Sequence, residues 1–359
     1  MANGQSRSPP VSGPSPNRSV AIQIWMIGAL VPLVFMLTGS VGEYDFAAFW
    51  VAGRQVLDGT AAGIYDTAAT QRYADRLDLS GATIFPYPPH ALFLYAPLAL
   101  IGYIPAYLLW NLASAAFFYA AARPYLPQNF PPILSVITPA ALICLDFGQT
   151  GLLFGALWLL AFRGSWAALA LMTFKPHLGI LAILSLRTRG AFIKTSVLAA
   201  MLIGASVLLF GITLWFGFIE HSLRHAAQLA ATKRWLFAGV GPAMAYGLWG
   251  WIPFAAAGGL MLARNVNVFT AATASFLVSP YAFHYDMPVA CLGFGLLVFG
   301  HWHEMPIRHR LPVALGFLSP IVALMGAWWV PPLLLWALWI QTKYDAASTV
   351  LPSAAPQAD

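Results

Sequence analysis

The chain has 359 residues, of which 60% are hydrophobic and only 8% are charged, and its formal net charge is +6. An average soluble domain carries roughly 25% charged residues, so this composition excludes an ordinary water-soluble fold and indicates an integral membrane protein. The basic residues stand singly at the ends of apolar runs, a topological pattern that argues against nucleic-acid binding. Cys144 and Cys291 each lie inside an apolar stretch. Their spacing predicts neither a zinc site nor a disulfide framework.

The amino-terminal segment combines a polar tail with a first hydrophobic helix. Residues 1–19 are rich in Ser, Pro, Gly and Asn and are predicted to form a disordered cytoplasmic tail. The following run, from Val20 to Leu37, has the length of a membrane-spanning helix. A signal peptide is the alternative, but no small-x-small cleavage site follows, so an uncleaved helix is favoured.

The long polar stretch at about residues 40–88 is predicted to be an extracytoplasmic loop. Phe46, Phe49, Trp50 and Gly53 share one helical face within it, which favours a helix lying at the membrane interface. The loop also contains six acidic residues and three arginines, namely Glu43, Asp45, Asp58, Asp66, Asp75, Asp78, Arg54, Arg72 and Arg76.

From Pro88 onward, apolar runs are interrupted by proline, glycine and isolated charges. The chain is therefore predicted to be an all-α polytopic membrane protein with about 10–13 transmembrane or re-entrant helices. Residues 20–343 are expected to form one transmembrane domain, followed by a disordered tail at 344–359. Several runs are too short to cross the bilayer straight, which favours broken helices. The predicted segments are 90–122, 131–146, 149–162, 165–175, 177–187, 192–212, 242–262, 266–283, 287–300, 312–328 and 330–341.

Basic residues set the predicted orientation. Arg187, Arg189 and Lys194 flank one junction without a nearby acid, and Arg308 and Arg310 mark another. Assigning these junctions to the cytoplasm places both termini inside. The polar loop, the junctions 146–149 and 284–286, and the stretch 213–241 then lie outside.

Two sites with carboxylates stand out on that outer face. Asp45 begins an aromatic-rich helix and is a candidate general base. The alternative is that its side chain only caps the N-terminus of that helix. His284 and Asp286 lie in SPYAFHYDMP between two apolar runs. Such a pair can orient an imidazole or bind a phosphate, whereas the alternative is an interfacial turn with an aromatic belt.

Lys175 lies between two short apolar runs and is followed by Pro176. A lysine this deep needs an anionic partner or a water-filled cavity, and a re-entrant tip facing a phosphate is favoured over a snorkelling side chain. The same chemistry applies to Lys233 and Arg234, and an anionic ligand and a purely topological role stay equally open for them. Weaker candidates are Tyr87 in YPPH, Gln149 in DFGQTG and Arg54 in the outer loop.

These motifs, in this order, resemble glycosyltransferase family 87, whose members adopt the GT-C fold. The stretches that carry the resemblance are DFAAFWVAGRQVLDGTAAGIYD at 45–66, YPPHALFLYAPLAL at 87–100, DFGQTG at 146–151, KPHLGILAIL at 175–184 and SPYAFHYDMP at 279–288. The resemblance implies transfer of a sugar, mannose or another hexose, from a polyprenyl-phosphate donor to a lipid or glycan acceptor. It also implies a bacterial inner membrane, with the site facing the periplasm.

The resemblance assigns roles to individual residues. It implies Asp45 as catalytic base and His284 as a second catalytic residue, and it matches Lys175 to the lysine of the family's KP motif. The chain departs from the family pattern at His177, where glutamine is expected, and at Thr150, where many members carry asparagine. The residues expected to bind the donor phosphate or the substrate are Lys175, Arg234, Lys233, Tyr87, Gln149, Asp286 and Arg54.

A sugar phosphate already has a good leaving group, so one carboxylate that deprotonates the acceptor suffices, and direct displacement predicts inversion. No cofactor or metal is predicted, and the expected partners are membrane lipids, the lipid-linked donor and the acceptor. Two other functions stay open: a transporter or flippase of lipid-linked or anionic solutes, and a non-catalytic subunit of an envelope-synthesis complex.

Overall fold

The computed structural model describes residues 16–38, 45–79, 85–231 and 238–344. It is 79% helical, and its described residues form 17 α-helices and no strands, which confirms the all-α polytopic membrane fold. The predicted tails lie largely outside this described part. The helices are α1 (Pro16–Thr38), α2 (Asp45–Leu57), α3 (Thr67–Asp75), α4 (Leu92–Leu98), α5 (Tyr103–Ala122), α6 (Pro139–Phe147), α7 (Gly151–Phe162), α8 (Trp166–Leu171), α9 (Pro176–Gly179), α10 (Arg189–Phe210), α11 (Ile212–Ala231), α12 (Pro242–Leu262), α13 (Val268–Val278), α14 (Pro288–His301), α15 (Ile307–Phe317), α16 (Ser319–Val322) and α17 (Val330–Gln341).

The apolar helices are uneven in length, as the short hydrophobic runs predict. Three stretches of the described chain are long and apolar enough to cross a membrane: Ser19–Thr38, Tyr103–Tyr125 and Arg189–Phe210. A fourth candidate is a bent pair, Ile307–Phe317 and Ser319–Met325, whose halves meet at 69°. Shorter apolar helices lie at Gly151–Phe162, Pro176–Ser185, Val268–Val278 and Pro288–His301.

Several helix boundaries differ from those predicted, because local breakers divide the apolar runs. The run predicted at 90–122 is two helices, α4 and α5, separated by a turn that ends at Gly102, the N-cap of α5. The run at 131–146 becomes α-helical only at Pro139. There the Thr138 side chain accepts the Ala141 N–H at 3.3 Å and proline occupies the first helical turn, where it is tolerated.

Helix α2 has the predicted boundaries but not the predicted environment. Phe46 to Gly53 are all buried, so α2 is covered on every side over these two turns and is not a half-exposed interfacial helix. Helix α4 packs tightly against Gly53, where an added Cβ would lie 2.5 Å from the Tyr95 carbonyl oxygen. The Trp50 indole N–H donates to the Ile101 carbonyl at 3.1 Å. The aromatic face therefore packs against protein. Sequence periodicity alone cannot distinguish a helical face covered by protein from one covered by lipid.

Candidate functional site

A buried ion pair joins two segments that are far apart in the chain. Lys175 precedes α9, and Asp286 ends a short 3₁₀ turn before α14. The Lys175 Nζ lies 2.6 Å from Asp286 Oδ1, and the two side chains are only 7% and 2% exposed. The other carboxylate oxygen accepts the Phe283 N–H at 3.2 Å. Lys175 thus has the anionic partner that a buried cation requires.

Two tyrosines complete the surroundings of the lysine. The Lys175 Nζ lies 5.6 Å from the Tyr87 ring centroid and 5.5 Å from the Tyr285 ring centroid. A cation within about 6 Å of an aromatic face is attracted by the ring quadrupole. Tyr87 is itself fixed by the Tyr65 hydroxyl, which donates to the Tyr87 carbonyl at 2.6 Å. The ammonium group is therefore held by a carboxylate and two aromatic rings.

Asp45 is linked to this region through Gln149. Helix α6 ends in a left-handed Gly148 (φ +61°), and this turn brings Gln149 between α6 and α7. The Gln149 Nε2 donates to Asp45 Oδ2 at 2.7 Å. Among the described residues, the hydrogen bond of the Asp45 carboxylate runs to Gln149 and not to the backbone of α2. The role of Asp45 as a catalytic base stays a prediction.

The same glutamine connects Asp45 to Tyr87. The Tyr87 hydroxyl donates to Gln149 Oε1 at 3.4 Å and lies 2.8 Å from the Thr150 hydroxyl oxygen. The chain Asp45–Gln149–Tyr87 therefore leads from the carboxylate to a ring that flanks Lys175. Sequence-predicted residues from four separate motifs come together here.

Burial is the main influence on the pKa of the Asp45 carboxyl. Burial raises the pKa of the Asp45 carboxyl above its ordinary value, while the hydrogen bond from Gln149 and the charge of Lys175 lower it and the charge of Asp286 raises it further. A carboxylate whose pKa lies closer to neutral is a better proton acceptor than an ordinary aspartate. The arrangement therefore combines a candidate base with a cation that can neutralise an anion.

A cavity of about 280 Å³ opens beside Lys175. Its wall includes Tyr87, Gln149 and Lys175, and α11 contributes His221 and Ser222. Further aromatic rings come from Phe174, Phe218, Tyr281, Phe283 and Tyr285. Of the described residues, Asp45, His284 and Asp286 do not line this cavity. Asp45 is linked to its wall through Gln149, Asp286 through Lys175, and His284 through the ring of Tyr285.

His284 is buried next to the site, with its side chain packed among aromatic rings. Its ring centroid lies 6.1 Å from that of Phe147 and 5.5 Å from that of Tyr285. Burial lowers the pKa of His284 to about 4, so the imidazole is neutral at physiological pH. Its Nδ1 has no hydrogen-bond partner among the described residues. This environment disfavours the charged, phosphate-binding form of His284.

Of the remaining predicted binding residues, Arg54 is described by the structure and does not line the cavity. Arg54 lies in the last turn of α2, where its Nη2 is 3.3 Å from Asp58 Oδ1 and its side chain is partly exposed. Lys233 and Arg234 lie outside the described residues, so their role stays a prediction. Within the described part, Lys175 is the cation on the cavity wall.

Two histidines that the sequence did not single out support the site. The His90 Nε2 lies 3.1 Å from the Thr173 hydroxyl, and its ring stacks on Trp215 at 5.6 Å. These contacts brace the turn that precedes Lys175. His221 lines the cavity from α11. The sequence feature that could have identified His221 is the amphipathic spacing of α11. His90 could have been identified as the last residue of the YPPH motif.

The comparison with protein families supports the identity of these motifs. The model of glycosyltransferase family 87 matches residues 85–280, more than half of the chain. The matched region contains Tyr87, Gln149 and Lys175, whereas Asp45 precedes it and Asp286 follows it. No curated protein and no solved structure gave a significant match. The extent of the family match is sufficient to conclude that this chain belongs to glycosyltransferase family 87.

Proposed function

We propose that this protein transfers a hexose, such as mannose, from a polyprenyl-phosphate donor to a lipid or glycan acceptor at the extracytoplasmic face of a bacterial inner membrane. Family membership supports a membrane glycosyltransferase in general. One observation carries the finer proposal. Asp45 is hydrogen-bonded to Gln149, which lines the same cavity as Lys175. A base that is linked to the cavity wall by one hydrogen bond, and a cation on that wall, suit displacement of a sugar from a phosphate.

The proposed reaction is a single displacement. Asp45 takes the proton of the acceptor hydroxyl as the acceptor oxygen forms a bond to the anomeric carbon. The bond between that carbon and the phosphate oxygen breaks, and its electron pair stays on the phosphate. Attack opposite the leaving phosphate inverts the anomeric centre. No second carboxylate is needed as a nucleophile, in contrast to a retaining glycoside hydrolase.

Lys175 stabilises the phosphate as it departs. An ammonium group has three N–H donors, of which one binds Asp286 here. The others are available to phosphate oxygens at the cavity wall. Asp286 neutralises Lys175 while no ligand is bound and holds it in position, because an unpaired charge at this depth would be costly. The aromatic lining offers apolar faces to a sugar ring.

Asp45→Asn is the decisive variant, because asparagine keeps the size of the side chain but cannot accept the proton. General-base catalysis contributes about 10²–10⁴-fold, so we expect transfer to fall by that order. The assay follows radiolabel from a panel of polyprenyl-phosphate sugars into lipid or glycan, with the purified protein in vesicles. Transfer by Asp45→Asn at the wild-type rate contradicts the mechanism.

The matched control is Asp58→Asn, which changes another carboxylate of the same predicted outer loop. The Asp58 side chain is 39% exposed, pairs with Arg54 and does not line the cavity. We expect this variant to retain transfer. Thermal unfolding of both variants shows whether a lost activity reflects a lost fold.

A further inference from the structure

Helix α11 presents three chemically different faces. Successive residues of an α-helix are about 100° apart, so positions three and four residues apart share a side. The first face is an outward stripe of large apolar side chains, each at least half exposed: Ile212, Phe216, Ile219 and Leu223. A stripe of this kind on a soluble protein would place much apolar surface in water.

The second face of α11 points into the protein. Phe218, His221 and Ser222 line the cavity beside Lys175. Leu214 is buried on the same side, and the Trp215 indole N–H donates to the Ser206 hydroxyl of α10 at 3.1 Å. The helix is therefore one wall of the cavity, and it is fixed to α10 by a hydrogen bond.

The third face is polar and lies beside the apolar stripe. Glu220 and Arg224 form an ion pair one helical turn apart, and both side chains are well exposed, at 65% and 70%. Glu220 follows Ile219 and Arg224 follows Leu223, so the charged strip runs parallel to the apolar one. Two outer faces, one apolar and one charged, are typical of a helix at the boundary between acyl chains and headgroups.

The apolar stripe continues the surface of a membrane span. Helix α10 is 22 residues long and apolar enough to cross a bilayer, and only 6% of its apolar window is buried inside the protein. Leu208 and Leu209 at its end are among the most exposed apolar side chains. Gly211 alone, with a φ of +84°, separates α10 from α11. The chain thus leaves a lipid-facing helix and turns directly into α11.

We propose that α11 lies in the membrane interface, with Ile212, Phe216, Ile219 and Leu223 in contact with lipid, and that its inner face separates the bilayer from the cavity. Lipid is the occupant that fits, because the stripe is continuous with the exposed surface of α10 and is flanked by charges. The proposal concerns a lipid surface and is independent of the reaction.

One consequence deepens the proposed function and rests on it. The cavity beside Lys175 would be a single helix away from the acyl chains. An amphiphilic donor could then place its phosphate at Lys175 while its apolar chain follows the outer stripe of α11. The outer stripe would then contribute to binding the apolar chain of that donor.

The lipid contact can be tested without any activity assay. Cys144 and Cys291 are both buried, so a thiol-reactive fluorophore will report on a cysteine introduced at the surface. We choose Phe216→Cys and Leu223→Cys on the stripe, with Glu220→Cys and Arg224→Cys as matched controls one residue from the stripe. Each labelled protein is placed in phosphatidylcholine–phosphatidylglycerol vesicles with brominated acyl chains, which quench nearby fluorophores.

We expect several-fold stronger quenching at Phe216 and Leu223 than at Glu220 and Arg224. Equal quenching at all four positions overturns the proposal. Weak quenching at Leu223, together with a disulfide-linked dimer of Leu223→Cys, also overturns it, because the stripe would then cover a second copy. Use of two stripe positions keeps the test decisive if one variant does not fold.

A second experiment tests the consequence for the donor. The variant with both Phe216→Glu and Leu223→Glu is expected to lose transfer from a long-chain polyprenyl-phosphate sugar by several-fold, but not from a short-chain, water-soluble analogue. Arg224→Gln is the control and should affect neither. Equal loss with both donors contradicts the role of the stripe. If the wild-type protein transfers no sugar at all, the proposed function fails while the quenching result still decides the lipid contact.

Discussion

Two ion pairs of this protein have the same chemistry in opposite environments. Lys175 and Asp286 lie 2.6 Å apart with side chains 7% and 2% exposed, whereas Arg54 and Asp58 lie 3.3 Å apart with side chains 34% and 39% exposed. The sequence marked both cations as candidate ligands of a phosphate. Only Lys175 reaches the cavity.

The difference lies in what surrounds each charge. Water screens the Arg54–Asp58 pair, so it contributes about 0–1 kcal/mol at most. Lys175 is almost fully buried, and its charge is tolerated because Asp286 and two tyrosine rings face it. A buried cation of this kind can exchange its carboxylate for a ligand anion, which makes it a better binding group than the exposed arginine.

The largest expected effect is that of breaking the buried pair. Asp286→Asn removes the charge that neutralises Lys175, and loss of one partner of a buried pair costs about 3–5 kcal/mol of unfolding free energy. Unfolding in detergent, followed by denaturant or heat, measures the change. The double variant Lys175→Met with Asp286→Leu should be less destabilised than Asp286→Asn, because no charge is left unpaired. A single variant as stable as the wild type would show that the pair is hydrated.

The next effect concerns the close packing that holds Asp286 in place. A Cβ on Gly151 at the start of α7 would lie 1.8 Å from the Tyr285 carbonyl oxygen. Gly151→Ala must displace the segment that carries Asp286, and overpacking typically costs about 1–3 kcal/mol. The unfolding free energy and the transfer rate should both fall.

Gly204→Ala in α10 is the matched glycine control. Nothing lies within 4 Å of its Cβ position. Alanine at an interior helical position is favoured over glycine by roughly 0.5–1 kcal/mol, so this variant should be unchanged or slightly more stable. Equal destabilisation by both substitutions would mean that the contact at Tyr285 is not the cause.

The third effect is on the pH dependence of transfer. The proposed base, Asp45, acts only when deprotonated, so activity should rise as the pH passes upward through its pKa, which burial raises above its ordinary value. The Gln149 hydrogen bond lowers that pKa. Gln149→Ala should therefore shift the acidic limb of the kcat/KM profile to higher pH.

The control for this shift is Gln341→Ala. Gln341 is a buried glutamine at the end of α17 and is not part of the cavity wall. Its removal should leave the position of the limb unchanged. A purely structural role of Gln149 would lower activity at every pH without moving the limb, and a shift to lower pH would exclude Asp45 as the titrating base.

The smallest effect is expected at the exposed pair. Arg54→Gln should change the unfolding free energy by less than about 1 kcal/mol, because solvent screens the interaction with Asp58. Transfer should keep its wild-type KM for the donor, since the guanidinium does not line the cavity. A clear rise in KM would instead support the sequence-based prediction that Arg54 binds the substrate.

Much of the site was visible in the sequence as separate motifs. Asp45, Gln149 and Lys175 were each singled out because polar groups between apolar runs are costly unless they serve a purpose. The boundaries of α2 also followed from its sequence pattern. Its environment did not, since an aromatic face looks the same whether protein or lipid covers it. In the structure, α2, which was predicted to be interfacial, is covered by protein. The exposed amphipathic surface belongs to α11 instead.

The sequence by itself determined that this is a helical membrane protein, because long apolar runs with few charges are incompatible with a soluble fold. Only the tertiary structure decided which charges meet. Lys175 and Asp286 are 111 residues apart in the chain, and Asp45 and Gln149 are 104 residues apart. Such contacts depend on how the helices pack, and no local pattern encodes them. Burial, which decides what a charge costs and what it can bind, is likewise a property of the packed fold.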